Sequence, residues 1–258
     1  MIWTIQPRSK AGPIAVISRG NGPPVLLIHG VGLRSEAWAS QIDALATSHH
    51  VIAVDMPGHG DSATLGPNSD LADFTDEIVT VLDAPATVIG HSFGAMIALN
   101  MATRHPALVT GVAALNAIYR RSASAKALVF ARANGLDGTT VTDPTKPLTR
   151  WFGNETSPER TACHEWLTNV NPVGYRDAYR VFAEKDGPAD SDLSGLTCPV
   201  LFLTGELEPN STPAMSHQMA ALVPNGQARI VPEAAHMLPM THAVEVNQTL
   251  SAFLKRTS

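Results

Sequence analysis

The stretch Gly90-His91-Ser92-Phe93-Gly94 sets a hydroxyl between two glycines, where a run of β-formers gives way to the helical run AMIALNMA. A residue on so sharp a strand-to-helix turn is driven to φ > 0, which is costly for a non-glycine. The chain tolerates it when the positions two before and two after carry no side chain to collide. Such a turn lifts the Ser92 hydroxyl clear of the sheet edge. The helix that follows aims its first N–H groups at the same space, which favours developing negative charge. This is the G-x-S-x-G nucleophile pattern; a helix N-cap serine is the plainer alternative. A serine hydroxyl is a weak nucleophile that needs a base, and the base needs an orienting acid, in the chain order Ser, acid, His. Glu206 and Glu208 follow the strand-like run VLFLTG, and among 10 histidines only His236 falls on a loop directly after the last strand-like run.

The elements that must position these groups alternate between strand and helix. PIAVIS and PPVLLIHG are short apolar runs parted by the turn cluster RGNG and suggest a hairpin. SEAWASQIDALA places Trp38, Ile42 and Leu45 on one helical face. HVIAVDMPG reads as a buried strand. SDLADFTDEIVTVLD reads as a helix with Ser69 as its N-cap. ATVIG and LVTGVAALN are strands on either side of the helix after Ser92. From about Ile118 to Leu193 the strand signals vanish and helical spacing takes over, for instance in SPERTACHEWLTN with Ser157 as N-cap and Pro158 at the first helical position. All 3 tyrosines and two of the 4 tryptophans lie in this region. The rhythm then resumes with CPVLFLTGE, TPAMSHQMAAL, QARIVPE and AVEVNQTLSAFLKR. Strands alternating with helices predict an α/β fold with a mostly parallel central sheet covered on both faces. The helical stretch predicts an inserted cap over residues 118–193, between core segments 1–117 and 194–258.

The composition fits that reading. With 44% apolar and 16% charged residues, 258 residues can bury one sizeable core. A net charge of −5 without a block of like charge gives no footprint for nucleic acid or anionic lipid. Two cysteines without metal-ligand spacing argue against a disulfide scaffold. No signal-peptide pattern opens the chain, and no apolar run approaches the ~20 residues of a membrane span. The expectation is a soluble, cytoplasmic protein.

Taken in order, HGVG (His29–Gly32), Trp38, DMPGHGDS (Asp55–Ser62), GHSFG (Gly90–Gly94), LTGELEPNSTP (Leu203–Pro213) and AAHMLPM (Ala234–Met240) run nearly end to end. In these pieces the sequence resembles the α/β-hydrolase superfamily, in its capped esterase and enol-lactonase-like branch. The resemblance implies an α/β-hydrolase fold, with Ser92 as nucleophile and His236 as general base and acid. It puts the acid on Glu208, with Glu206 in reserve. Most relatives carry Asp at that position, so the longer Glu side chain requires the imidazole or the loop to adjust by about a bond length. The resemblance also implies an oxyanion hole from the backbone N–H groups of Val31 and Phe93, with His29 and Gly30 shaping the loop. In DMPGHGDS the glycines explain a tight turn better than Asp55, His59 and Asp61 explain a metal site. His91 is expected to pack or hydrogen-bond beneath the elbow.

The chemistry implied is acyl transfer to water with no cofactor and no metal, on a small-molecule ester of small or medium size. An enol-lactone, a C–C bond of a dicarbonyl or a perhydrolase reaction is the alternative, and a small-molecule receptor on the same scaffold is a third reading. A serine at the elbow argues against dehalogenase or epoxide hydrolase chemistry. His29, Trp151, Trp166, Tyr175 and Arg120 are the candidate pocket residues, with packing of the cap on the core as the competing role for the aromatic ones. Either Arg120 or its neighbour Arg121 could hold a substrate carboxylate. Oligomeric state is not legible in the sequence.

Overall fold

The computed structural model describes Trp3 and residues 5–257. Its sheet has eight strands: β1 (Ser9–Ala11), β2 (Ile14–Arg19), β3 (Pro24–Ile28), β4 (His50–Val54), β5 (Ala86–His91), β6 (Val109–Leu115), β7 (Val200–Gly205) and β8 (Gly226–Val231). They lie in the order β1-β2-β4-β3-β5-β6-β7-β8. The first two pairings, β1 with β2 and β2 with β4, are antiparallel, and every later pairing is parallel. The expected hairpin of the second and third strands does not form. β4 lies between them, pairing Val16 with Val54 on one side and Leu26 with Ile52 on the other. The physical reason is that Val25–Ile28 are all buried. A strand apolar on both faces belongs in the middle of a parallel sheet, with neighbours on both sides.

Alternation along the strands divides the core into two layers. Leu26, Ile28, Val54 and Val88 face one side with Phe74, Phe93 and Ile97, whereas Val25, Leu27, Ala53 and Ile89 face the other with Trp38, Ile42 and Leu45. The first side is covered by α2 (Leu71–Val79), α3 (Phe93–Arg104) and α9 (Pro213–Leu222), and the second by α1 (Ala39–Leu45) and α11 (Ala243–Leu254), which follows the short α10 (Leu238–Thr241). The N-cap of α2 is Asp70 and not Ser69. The Asp70 side chain accepts from the N–H groups of Ala72 and Asp73, and Asp73 reaches back to the Asp70 N–H, a full capping box. Ser69 instead turns its hydroxyl back to the carbonyl of Gly66.

Between β6 and β7 the described chain is helical: α4 (Ala123–Asn134), α5 (Thr145–Phe152), α6 (Pro158–Asn169), α7 (Pro172–Glu184) and α8 (Asp190–Gly195). Ser157 caps α6 with Pro158 inside its first turn, and Asn171 caps α7. A third apolar cluster joins these helices to the rest: Leu148, Trp151, Trp166 and Tyr175 meet Leu33, Ala37, Met237 and Met240. Leu193 of α8 already belongs to the first core layer. Among the described residues no helix is long and apolar enough to cross a membrane.

Candidate active site

The carboxyl ends of β3, β5, β6, β7 and β8 lie toward the helices between β6 and β7, and each delivers one part of the site. β5 hands over to α3 at Ser92, which sits at φ 57° and ψ −116°, a region costly for a side-chain-bearing residue. The strain is held on both sides. The Ser92 N–H donates to the Leu115 carbonyl at 2.8 Å, and the Ser92 carbonyl accepts from Ala95 at 3.0 Å. A Cβ at Gly90 would collide with the backbone of Gly94, and one at Gly94 with the carbonyl of Ile28. The two glycines are therefore required by the close approach of strand and helix.

His236 follows β8, and its Nδ1 lies 2.7 Å from Oε2 of Glu208 on the loop after β7. The longer side chain thus meets the imidazole at full hydrogen-bond contact. The other carboxylate oxygen of Glu208 accepts from the N–H groups of Asn210 at 2.8 Å and Ser211 at 3.3 Å. Burial alone would raise the Glu208 carboxyl. The attraction of His236, its hydrogen bond and the two backbone donors outweigh that and bring it down to about 2. Glu206 takes no part: its carboxylate accepts from the Glu233 N–H.

The carbonyl of His236 is gripped from below by His91 Nε2 at 2.8 Å and Asn116 Nδ2 at 2.6 Å. Asn116 follows β6 with φ 50°, and its Oδ1 accepts from Thr204 Oγ1 at 2.8 Å. Three strands therefore brace the loop that carries His236. Burial and the neighbouring His236 push the His91 imidazole down to about 3, which keeps it neutral with its proton on Nε2. In the sequence Asn116 reads only as the last residue of the strand-like run LVTGVAALN, whereas the strand itself ends at Leu115.

Ser92 and His236 line one cavity of about 300 Å³, together with Val31, Trp151, Tyr175 and Tyr179. Trp151 lies over His236, ring centroids 5.5 Å apart and planes 20° from parallel. The N–H of Phe93 stands at the first position of α3, where no helical carbonyl reaches it. The Val31 N–H donates to no described residue. Three arginines, Arg121, Arg132 and Arg150, also line the cavity, and among the described residues no acidic one does. Arg132 donates to the Tyr175 hydroxyl at 2.6 Å and lies 4.9 Å from the centre of the Tyr179 ring. Arg121 stacks over Phe182 at 4.4 Å and donates to the Lys185 carbonyl at 2.7 Å.

Three residues expected in the pocket lie elsewhere. His29 is 0% exposed and spends both ring nitrogens on backbone groups. Trp166 packs edge-on against Trp3 in the third apolar cluster. Arg120 has φ 52°, points to solvent and pairs with Asp190 at 2.5 Å. The left-handed backbone at Arg120 turns its neighbour Arg121 inward in its place.

With this geometry in view, the sequence pattern of the Alpha/beta hydrolase family matches residues 25–249. The chain belongs to that family and is a hydrolase. It is 40% identical over 246 residues, 93% of each chain, to the (E)-2-((N-methylformamido)methylene)succinate hydrolase of Acinetobacter baylyi. In structure it superposes on a thermophilic esterase of Thermogutta terrifontis with TM-score 0.85 and 24% identity, over 95% of this chain and 93% of the other. The enol-lactonase of Burkholderia xenovorans follows with TM-score 0.81 and 22% identity, over 96% of this chain and 100% of the other. These two likenesses concern the fold.

Proposed function

We propose that the protein is a serine hydrolase that cleaves an acyl bond, ester or amide, in a small substrate bearing carboxylates. The observation that carries the substrate class is the cavity wall: Arg132 and Arg150 line the space shared by Ser92 and His236, Arg121 adds a guanidinium already paired with Asp186, and no acidic residue is among the described lining residues. An anion is the complement of such a wall. The similarity to the A. baylyi enzyme supports the same reading, since the compound in that enzyme's name carries two carboxylates and an amide. We take an amidomethylene succinate as the leading substrate.

The contact between His236 and Glu208 supports the following mechanism. The proton on Nδ1 of His236 faces Glu208, which leaves Nε2 free to accept the Ser92 proton. The serine oxygen adds to the carbonyl, and the resulting oxyanion takes hydrogen bonds from the Val31 and Phe93 N–H groups. Imidazolium, stabilised by Glu208, gives its proton to the departing alcohol or amine as the C–O or C–N bond breaks. Water then attacks the acyl-enzyme by the same route, with His236 taking its proton and returning one to Ser92. Residues 118–193 act as a cap in this reading, supplying Arg121, Arg132, Arg150 and Trp151 to a site whose reacting groups stand on the core.

The test compares two methyl esters of equal acyl length, monomethyl succinate and methyl butyrate, by acid release in a pH-stat. The charged ester should be favoured in kcat/KM by about tenfold to a hundredfold, the worth of a charge-assisted hydrogen bond. Arg132→Gln should erase most of that preference by raising KM for the charged ester alone. Equal or inverted preference in the wild type would overturn the substrate class.

A further inference from the structure

Two histidines outside the cavity make a reciprocal staple that the mechanism above does not use. The loop after β3 carries His29, and the loop after β4 carries His59. His29 Nε2 accepts the N–H of Met56 at 3.0 Å, and His59 Nε2 accepts the N–H of Gly32 at 2.9 Å. Each ring's other nitrogen returns to its own loop, Nδ1 of His29 to the Gly30 carbonyl at 2.8 Å and Nδ1 of His59 to the Pro57 carbonyl at 3.2 Å. Each imidazole thus accepts from the opposite loop and donates to its own. The rings lie 5.5 Å apart and are 0% exposed. A third tie joins the same loops, because Asp55 Oδ1 accepts from both the N–H and the hydroxyl of Ser35 at 2.8 Å.

Between the two anchored points stands Val31. Its N–H shares a rigid peptide plane with the Gly30 carbonyl, and that carbonyl accepts from His29 and from the Leu33 N–H. The next plane, Val31 to Gly32, is held by His59. Fixing both planes leaves the Val31 N–H one direction. A carbonyl that accepts hydrogen bonds also makes the N–H of its own peptide a stronger donor. Apolar side chains would fill this buried space without the desolvation cost of two imidazoles. Burial drives the rings down to about 4 for His29 and about 3 for His59, so both remain neutral acceptors at neutral pH.

We infer that His59 is a positioning residue for the reaction: with His29 as its reciprocal partner, it aims the Val31 N–H at the oxyanion from outside the cavity. The inference rests on the proposed role of Val31. Its function is transition-state placement, so it should govern kcat and leave ground-state binding alone.

The experiment is kinetics on His59→Leu, which keeps bulk and loses the acceptor, and His59→Gln, which retains an acceptor. Active sites are counted by end-point labelling of Ser92 with a fluorophosphonate. Per active site, His59→Leu should lower kcat for monomethyl succinate by about 10- to 100-fold with KM within about twofold. Inhibition by a boronic acid, which mimics the tetrahedral oxyanion, should weaken by the same factor while inhibition by succinate stays unchanged. His59→Gln should recover kcat to within about threefold of the wild type. Wild-type kcat per active site in His59→Leu, or a parallel fall in succinate binding, would overturn the inference. If the leucine variant does not fold, His59→Gln decides alone, and a tenfold loss in it counts against the proposal. Turnover that survives Ser92→Ala would instead strike the reading of the whole site. A dead Ser92→Ala beside an unaffected His59→Leu strikes only the staple.

Discussion

Trp151 of α5 lies face to face with His236, centroids 5.5 Å apart and planes 20° from parallel. A helix from between β6 and β7 thereby covers one face of the imidazole. Removing the ring should loosen His236 and admit water. Trp151→Leu should lower kcat by about threefold to tenfold, the worth of one aromatic contact, and Trp151→Phe should retain most of it. Steady-state kinetics per labelled active site checks this. An unchanged kcat with a lowered Tm would mean that Trp151 only packs the inserted helices.

Ser92 holds a conformation that glycine adopts freely. Strain of this kind costs about 1–3 kcal/mol, and glycine returns about 0.5–1 kcal/mol of that in chain entropy. Ser92→Gly should therefore be the more stable protein by about 1 kcal/mol, which corresponds to a rise of about 2–4 °C in Tm. Ser92→Ala keeps the strain and should show no such rise. Calorimetry on the three proteins decides it, and equal Tm values would show the turn to be relaxed.

The two glutamates after β7 should separate cleanly. Glu208 meets His236 at 2.7 Å whereas Glu206 meets only the Glu233 N–H. Glu208→Gln should lower kcat by about 10²–10⁴-fold through loss of the imidazolium's partner. Glu206→Gln should stay within about threefold of the wild type. The opposite ranking would reassign the acid.

Stability should fall early on acidification. Burial holds His29 at about 4 and His59 and His91 at about 3. Above the ordinary histidine value of 6.5 neither folded nor unfolded chain carries these protons. Below it the unfolded chain takes them up and the native protein does not, until the pH passes the lowered native values. Each such histidine removes about 1.4 kcal/mol of stability per pH unit in that window, so three together remove about 4 kcal/mol. Glu208, lowered from 4.5 to about 2, stabilises above 4.5 and adds its loss only below that. Urea midpoints should drop between pH 6.5 and 5, before most carboxylates titrate. A flat midpoint over that range would contradict neutral burial of these rings.

Much of the framework was legible because its signals are local. Apolar runs bounded by turn residues marked the strands, and Ser92, Glu208 and His236 each follow such a run. Strand order was not legible. That β4 separates β2 from β3 depends on which strand is buried on both faces, a property of the assembled sheet. The choice between Ser69 and Asp70 as cap turned on whether the residue three positions on could reach back, which Asp73 does. His29 sits beside the pocket in sequence, yet the fold turns it to a partner on the next loop. Arg132 and Arg150 gave no signal, because an arginine on a largely exposed helix looks the same whether its face meets solvent or a cavity.

The serine mechanism and the substrate class are tested together by turnover of (E)-2-((N-methylformamido)methylene)succinate and of monomethyl succinate by the wild type and by Ser92→Ala. The wild type should hydrolyse both compounds, and removal of the hydroxyl should cost about 10⁴-fold or more in kcat. Activity in Ser92→Ala within tenfold of the wild type, or a folded wild type that hydrolyses neither compound, would contradict this reading of the site.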